Sequence, residues 1–251
     1  MRGKPEHVEQ RLTLTQRYEL RELLFAAAVA LVAIPFGLLL VQVTSSGFLT
    51  RIDASAAEYL HEWVRDSPAT VTGLEVISFL GKPIWFYLVL GPAVIYLWVK
   101  GRKRLALFLA ITALLGGAID TVVKEVVDRP RPVLEDPVAH AMGKSFPSGH
   151  SMSSVVGYGA LLLVFMPAIP RARRKLLVGA TAVLVLLIGF SRLALGVHFI
   201  TDVLGGFVLG AAWLMASAAA FNIWREEQGR KPAEPMEGLE PEAAHDLRPA
   251  G

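Results

Sequence analysis

Along this 251-residue chain the apolar positions gather into six long runs parted by charged stretches, at residues 23–43, 83–99, 105–123, 151–166, 176–193 and 199–221. Runs of about twenty apolar residues match the hydrocarbon thickness of a bilayer, so the pattern predicts six membrane-spanning helices. The second run is short, but Trp85, Tyr87, Tyr96 and Trp98 stand near its ends, where amphipathic rings favour the two interfaces. The first run is too long for a signal-peptide core and no small-residue cleavage site follows it, which predicts a retained signal anchor. Between these two runs, Ile52, Ala56, Leu60, Trp63 and Val64 recur at helical spacing behind Asp53, a candidate N-cap, and predict a helix lying in the interface. Ser67 followed by Pro68 reads as a second helix start. The expected fold class is therefore all-α: a six-span transmembrane helix bundle with a short interfacial helical segment in the first outward loop. Residues 1–22 are expected to be a cytoplasmic N-terminal segment and 23–224 the membrane domain. Residues 225–251, charged and punctuated by Pro232, Pro235, Pro241 and Pro249, are expected to be a disordered cytoplasmic tail.

Composition agrees with the pattern: 53% of residues are hydrophobic and the mean hydropathy is +0.48. The net charge of +3 comes from basic residues clustered in alternate connections, which is the distribution that orients a membrane protein, and nucleic acid is not an expected partner. The N-terminus, the second and fourth connections and the tail hold 17 Lys and Arg, against 8 in the first, third and fifth connections. Both termini are therefore expected in the cytoplasm, with the third and fifth loops together on the extracytoplasmic face. The chain has no cysteine, which excludes thiolate metal sites and a cysteine nucleophile and leaves histidine, serine or a carboxylate for covalent chemistry.

Charge within apolar sequence is costly and calls for a reason. Three clusters share the outward face. The first joins Lys124 to Arg129, Pro130, Arg131 and Pro132, where prolines stiffen a backbone carrying a planar guanidinium fork and a compact ammonium, a pair able to neutralise an oxyanion. Alone it is equally consistent with anchoring to lipid headgroups. Asp120, four residues before Lys124, reads as simple charge compensation. The second cluster, Ser148-Gly149-His150, opens the fourth run. Ser148 can cap a helix whose free N–H groups attract phosphate, Gly149 permits close approach, and His150 can move a proton near neutral pH. Alone it reads more readily as an ordinary cap. In the third, Arg192 precedes a short turn at Gly196, and Asp202 lies four residues after His198 on the same helical face, able to fix the tautomer of the imidazole.

Together, Lys124-x6-Arg131-Pro132, Pro147-Ser148-Gly149-His150 and Ser191-Arg192-x5-His198-x3-Asp202 resemble the three-part signature of the type 2 phosphatidic acid phosphatase superfamily, with no departure at a motif position. The resemblance implies that His198 is the nucleophile forming a phosphohistidine, that Asp202 orients it, and that His150 protonates the leaving oxygen. It implies further that Lys124, Arg131 and Arg192 hold the phosphoryl oxygens, helped by Ser148 and the Gly149 amide. Such chemistry needs positioning and charge neutralisation around an in-line attack, and three fixed cations can supply what Mg²⁺ otherwise would. No cofactor and no metal is expected, and the arginines disfavour a cation held by His150, His198 and Asp202.

The expected activity is removal of phosphate from a membrane lipid phosphate or diphosphate, with phosphatidic acid, phosphatidylglycerophosphate and undecaprenyl diphosphate as candidates. The alternatives are a lipid phosphotransferase using the same intermediate and, further off, a non-catalytic lipid-phosphate transporter or receptor.

Overall fold

The structure is a computed structural model that describes residues 33–45 and 48–247. The N-terminal segment, the start of the first run and the last four residues lie outside that range, so the expectations for residues 1–22 fall beyond it. Among the described residues all regular structure is helical: α1 over Ala33–Thr44, α2 Phe48–Arg65, α3 Pro68–Phe79, α4 Pro83–Val99, α5 Lys103–Val127, α6 Gly149–Phe165, α7 Arg171–Ala194 and α8 Ile200–Glu227. Five candidate spans are long and apolar enough to cross a bilayer, with α3 and α4 counted as one run, Pro68–Val99; α1 and α2, bent by 77° at their break, add a sixth only if the pair is counted as one span. The chain is an integral membrane protein of the expected all-α class.

Helix boundaries run further than hydropathy alone indicated. α7 begins at Arg171, so the basic cluster of the fourth connection forms its first turn, and α8 continues past Trp224 to Glu227. Backbone hydrogen bonding does not stop where side chains become polar, and the membrane edge sets hydropathy without setting helix length. The ends that matter have visible local causes. Ser67 caps α3 by accepting from the Thr70 amide at 3.4 Å, with Pro68 in the first turn. α7 ends where Gly196, at φ +69°, takes the left-handed conformation, and the Val197 amide reaches back to the Arg192 carbonyl at 3.2 Å. α6 and α8 pack closely because Gly206 and Gly210, one turn apart on α8, leave no side chain where the Ser148 and Met152 carbonyls approach. A Cβ would lie 2.6 Å and 3.0 Å from those oxygens.

α2 forms where a helix is expected but starts earlier, at Phe48. Asp53, Ala57, His61 and Val64 are buried, while Phe48, Ile52, Tyr59 and Trp63 are exposed. Asp53 is thus not an N-cap but a buried residue of the second turn. In a helix at a membrane surface the apolar stripe favours lipid, which leaves the polar stripe for the protein.

The tail also departs from expectation. Residues 225–247 are folded across the end of the bundle opposite the third loop. Leu239, Ala243 and Leu247 join the core formed by Leu97, Leu105, Leu109, Ala160 and Val164. The Leu239 amide bonds the Leu163 carbonyl at 2.9 Å, and Asn222 and Ala233 exchange two hydrogen bonds of 3.1 Å. Arg225, buried at the end of α8, pairs with Glu242 at 2.8 Å, and Arg102 from the α4–α5 turn meets Glu240 and Asp246. Three apolar anchors and neutralised charges hold a segment whose composition alone predicts disorder. Leu239→Ala should therefore cost about 2–5 kcal/mol, the range for deleting a buried leucine, read as a fall in the thermal unfolding midpoint of the detergent-solubilised protein.

Candidate active site

At the end of the bundle away from the tail, the last turns of α5 and α7 meet the first turns of α6 and α8. All three sequence clusters arrive there. Lys124, Arg131, Gly149, His150, Arg192 and His198 line one cavity of about 960 Å³. From this polar end the cavity continues between α4 and α5 along Phe86, Leu90, Gly91, Val94, Ala113 and Leu114. Its wall on α4 runs from Pro83 to Ile95, about 18 Å at the helical rise.

His198 sits in the turn before α8, 2% exposed. Its Nδ1 faces Asp202 Oδ2 at 3.4 Å, and its Nε2 lies 3.0 Å from Arg131 Nη1. Because a guanidinium can only donate, Nε2 carries the lone pair and Nδ1 the proton directed at the carboxylate. Burial pushes this imidazole down to about 4; Arg131 and Arg192 pull the same way and Asp202 opposes them. His198 is therefore a neutral base at physiological pH, with its free nitrogen turned to the cation-lined end of the cavity.

Asp202 is held from every side. Oδ1 accepts from Arg129 Nη1 at 2.5 Å; Oδ2 accepts from the Ser145 hydroxyl and from the Phe199 amide at 2.9 Å, so the same carboxylate caps α8. The Ser148 amide bonds the Asp202 carbonyl at 2.9 Å, which ties the second cluster to the third.

Three cations approach the same space. Arg131 is anchored by the carbonyls of Val197, Gly143 and Met142 at 2.8, 3.1 and 3.1 Å. Arg192 donates from Nη1 to the Ser78 hydroxyl of α3 at 2.5 Å. Lys124 pairs with Asp120, four residues earlier on α5, and both line the cavity. Both lie against Gly149, where a Cβ would come within 2.8 Å of Lys124 Nζ, so a side chain there would displace the ammonium. His150 Nε2 and Arg192 Nε are buried with no hydrogen-bond partner among the described residues. Such orphaned groups are costly unless a ligand completes them. Ser148 has a different place: it is fully buried and its hydroxyl caps α6 by accepting from the Ser151 amide at 3.5 Å, while the cavity wall passes through Gly149 and His150. His140 is exposed and absent from the wall.

Sequence reasoning missed four buried groups behind this wall. Asp53 of α2 accepts from Arg129 Nη2 at 2.8 Å, from the Thr201 amide at 3.0 Å and from the Thr201 hydroxyl at 2.5 Å. Arg129 also donates to the Thr201 hydroxyl at 2.7 Å and stacks 4.2 Å from the Phe199 ring centre. With Ser145 these residues form a network around Asp202. Only Arg129 carried a signal, as a second cation two residues before Arg131. His61 of α2, also buried, bonds the Glu135 carbonyl of the third loop at 2.7 Å.

The profile of the PAP2 superfamily matches residues 105–226, a segment containing every motif residue named above. Phosphatidylglycerophosphatase B of Bacillus subtilis (strain 168) is 32% identical over 168 residues, covering 63% of this chain and 76% of that protein. Decaprenylphosphoryl-5-phosphoribose phosphatase of Mycolicibacterium smegmatis is 34% identical over 143 residues, 55% of this chain and 72% of the relative. The crystal structure of a transmembrane PAP2-type phosphatidylglycerolphosphate phosphatase from Bacillus subtilis superposes with a TM-score of 0.67 at 25% identity, over 77% of this chain and 94% of that one. Aquifex aeolicus LpxE shares the fold, with a TM-score of 0.53 at 22% identity over 67% of this chain and 95% of that one.

Proposed function

This chain belongs to the PAP2 superfamily and is a phosphatase of that kind, and on that premise we propose that it removes a terminal phosphate from a membrane lipid phosphate or diphosphate through a phosphohistidine on His198. The observation that carries this reading is the cavity itself: an apolar groove between α4 and α5 ends at three cations and two histidines, where His150 Nε2 and Arg192 Nε lack partners among the described residues. A lipid tail along the groove would bring its headgroup to that end.

The chemistry follows from the side chains. Lys124, Arg131 and Arg192 take the phosphoryl oxygens, and Arg131 Nη1 leaves His198 Nε2 for an oxygen of the substrate. The freed lone pair attacks phosphorus; the bond to the lipid oxygen breaks as His150 gives that oxygen a proton. Asp202 stabilises the charge that develops on the imidazole. A water then attacks the phosphohistidine, gives its proton to His150 and releases inorganic phosphate. The equatorial charge is met by fixed cations, so the reaction needs no divalent metal. The distribution of basic residues supports a site on the extracytoplasmic side with both termini in the cytoplasm.

The test is phosphate release by the purified protein from phosphatidylglycerophosphate, phosphatidic acid and undecaprenyl diphosphate, with the first leading because of the Bacillus relative. Full activity is expected in excess chelator. Strict dependence on added divalent metal would sink the mechanism, and transfer of labelled phosphate to a second lipid without free phosphate would make the protein a transferase.

A further inference from the structure

Asp53 has no part in the three motif clusters, yet it is 1% exposed and lies at the centre of a hydrogen-bonded network that ends on His198. It reaches there from α2, whose exposed face carries Phe48, Ile52, Tyr59 and Trp63. A carboxylate buried in such a helix is retained only if it is paired. Its partners are Arg129 and both the amide and hydroxyl of Thr201, the residue immediately before Asp202.

We propose that Asp53 is a positioning residue for the reaction assigned above, holding Arg129 and the first turn of α8 so that Asp202 keeps its aim at His198 and the Asp53–Arg129–Asp202 network keeps its net negative charge. This rests on the reading of His198 as nucleophile. The argument is electrostatic as well as geometric. Arg129 is shared: Nη2 goes to Asp53, and Nη1 to Asp202 and Thr201. Two carboxylates face this one guanidinium, so the pair keeps a net negative charge beside the imidazole. Without the Asp53 charge, the whole guanidinium charge would fall on Asp202 Oδ1, and the carboxylate would support a positive phosphoimidazole less well. Thr201 carries the second effect, because its amide and hydroxyl fix the helix turn that carries Asp202. Among the described residues the phosphate-holding Lys124, Arg131 and Arg192 are anchored separately from Asp53, by Asp120, by loop carbonyls and by Ser78.

The expected signature of Asp53→Asn is a kcat lowered about 10²-fold, as for other small misplacements of a reacting group, with KM changed less than about twofold. Asp53→Glu, which keeps the charge, should recover about tenfold of that loss. Lipid phosphate hydrolysis is measured on the full chain in mixed micelles, with His198→Ala prepared in parallel. Wild-type kcat in a folded Asp53→Asn overturns the proposal, as does a matched change in kcat and KM that Asp53→Glu leaves uncorrected. If Asp53→Asn does not fold, Thr201→Val removes the shared hydroxyl without adding charge; a kcat lowered about tenfold at unchanged KM is expected, and an unchanged kcat overturns the proposal. Activity retained by His198→Ala would instead remove the premise, so the two failures are distinguishable.

Discussion

Replacing His198 by alanine should abolish lipid phosphate hydrolysis, with kcat falling by on the order of 10⁴ to 10⁶, the scale seen when a covalent nucleophile is removed from its supporting site. Binding should survive, because Lys124, Arg131 and Arg192 are anchored by Asp120, by loop carbonyls and by Ser78. The variant should therefore still be inhibited from turnover yet titrate with the lipid phosphate near the wild-type affinity. Labelled phosphate should appear on the wild-type chain after a rapid quench and be missing from the variant. The pH dependence follows from the same residue. Attack requires the free base, so activity is lost as pH falls through the His198 pKa; burial has moved that value down to about 4, and the acid limb is displaced below the ordinary histidine range. Once the second ionisation of the substrate phosphate, near about 6, is accounted for, kcat/KM should hold from pH 7 to pH 5. A limb at the usual histidine value would show that His198 is not the attacking base.

The site was legible in the sequence wherever a motif carried its own chemistry. Lys124, Arg131, Gly149, His150, Arg192 and His198 were each named from local pattern and all line one cavity. What lay outside local pattern was the support behind them. Asp53 and Arg129 are 76 residues apart, and Arg129 and Asp202 73, so no window along the chain contains the pairs. Asp53 was further hidden because its place ahead of Ala56, Leu60 and Trp63 reads as an N-cap, whereas α2 starts at Phe48 and carries Asp53 buried in its second turn while Ile52 and Trp63 are exposed. Ser148 is ambiguous in a different way: its type and place suit both a helix cap and a phosphate ligand, and the fold shows its hydroxyl capping α6 through the Ser151 amide. Three apolar residues among many charges give the tail no periodicity, and partners such as Leu97 and Leu105 lie more than a hundred residues earlier.

Substituting His150 by alanine should produce a smaller loss with a different signature, and that difference tests the division of labour between the two histidines. His150 lines the cavity, and its buried Nε2 has no hydrogen-bond partner among the described residues, which leaves that nitrogen uncommitted for the leaving oxygen. General acid catalysis by a positioned side chain is worth about 10² to 10⁴. That range is the expected fall in kcat for a lipid phosphate, whose alkoxide leaves poorly unless protonated. An activated aryl phosphate expels a stable anion and should be phosphorylated onto His198 at nearly the wild-type rate. Its turnover should still slow, since His150 is also the base that activates water in the second step. Phosphorylated protein should therefore accumulate with the aryl substrate, and a burst of aryl alcohol equal to the amount of enzyme should precede a slow steady state. Equal losses of burst rate for lipid and aryl substrates would mean that His150 only shapes the cavity, and the proton would then have to come from another group within reach of the leaving oxygen.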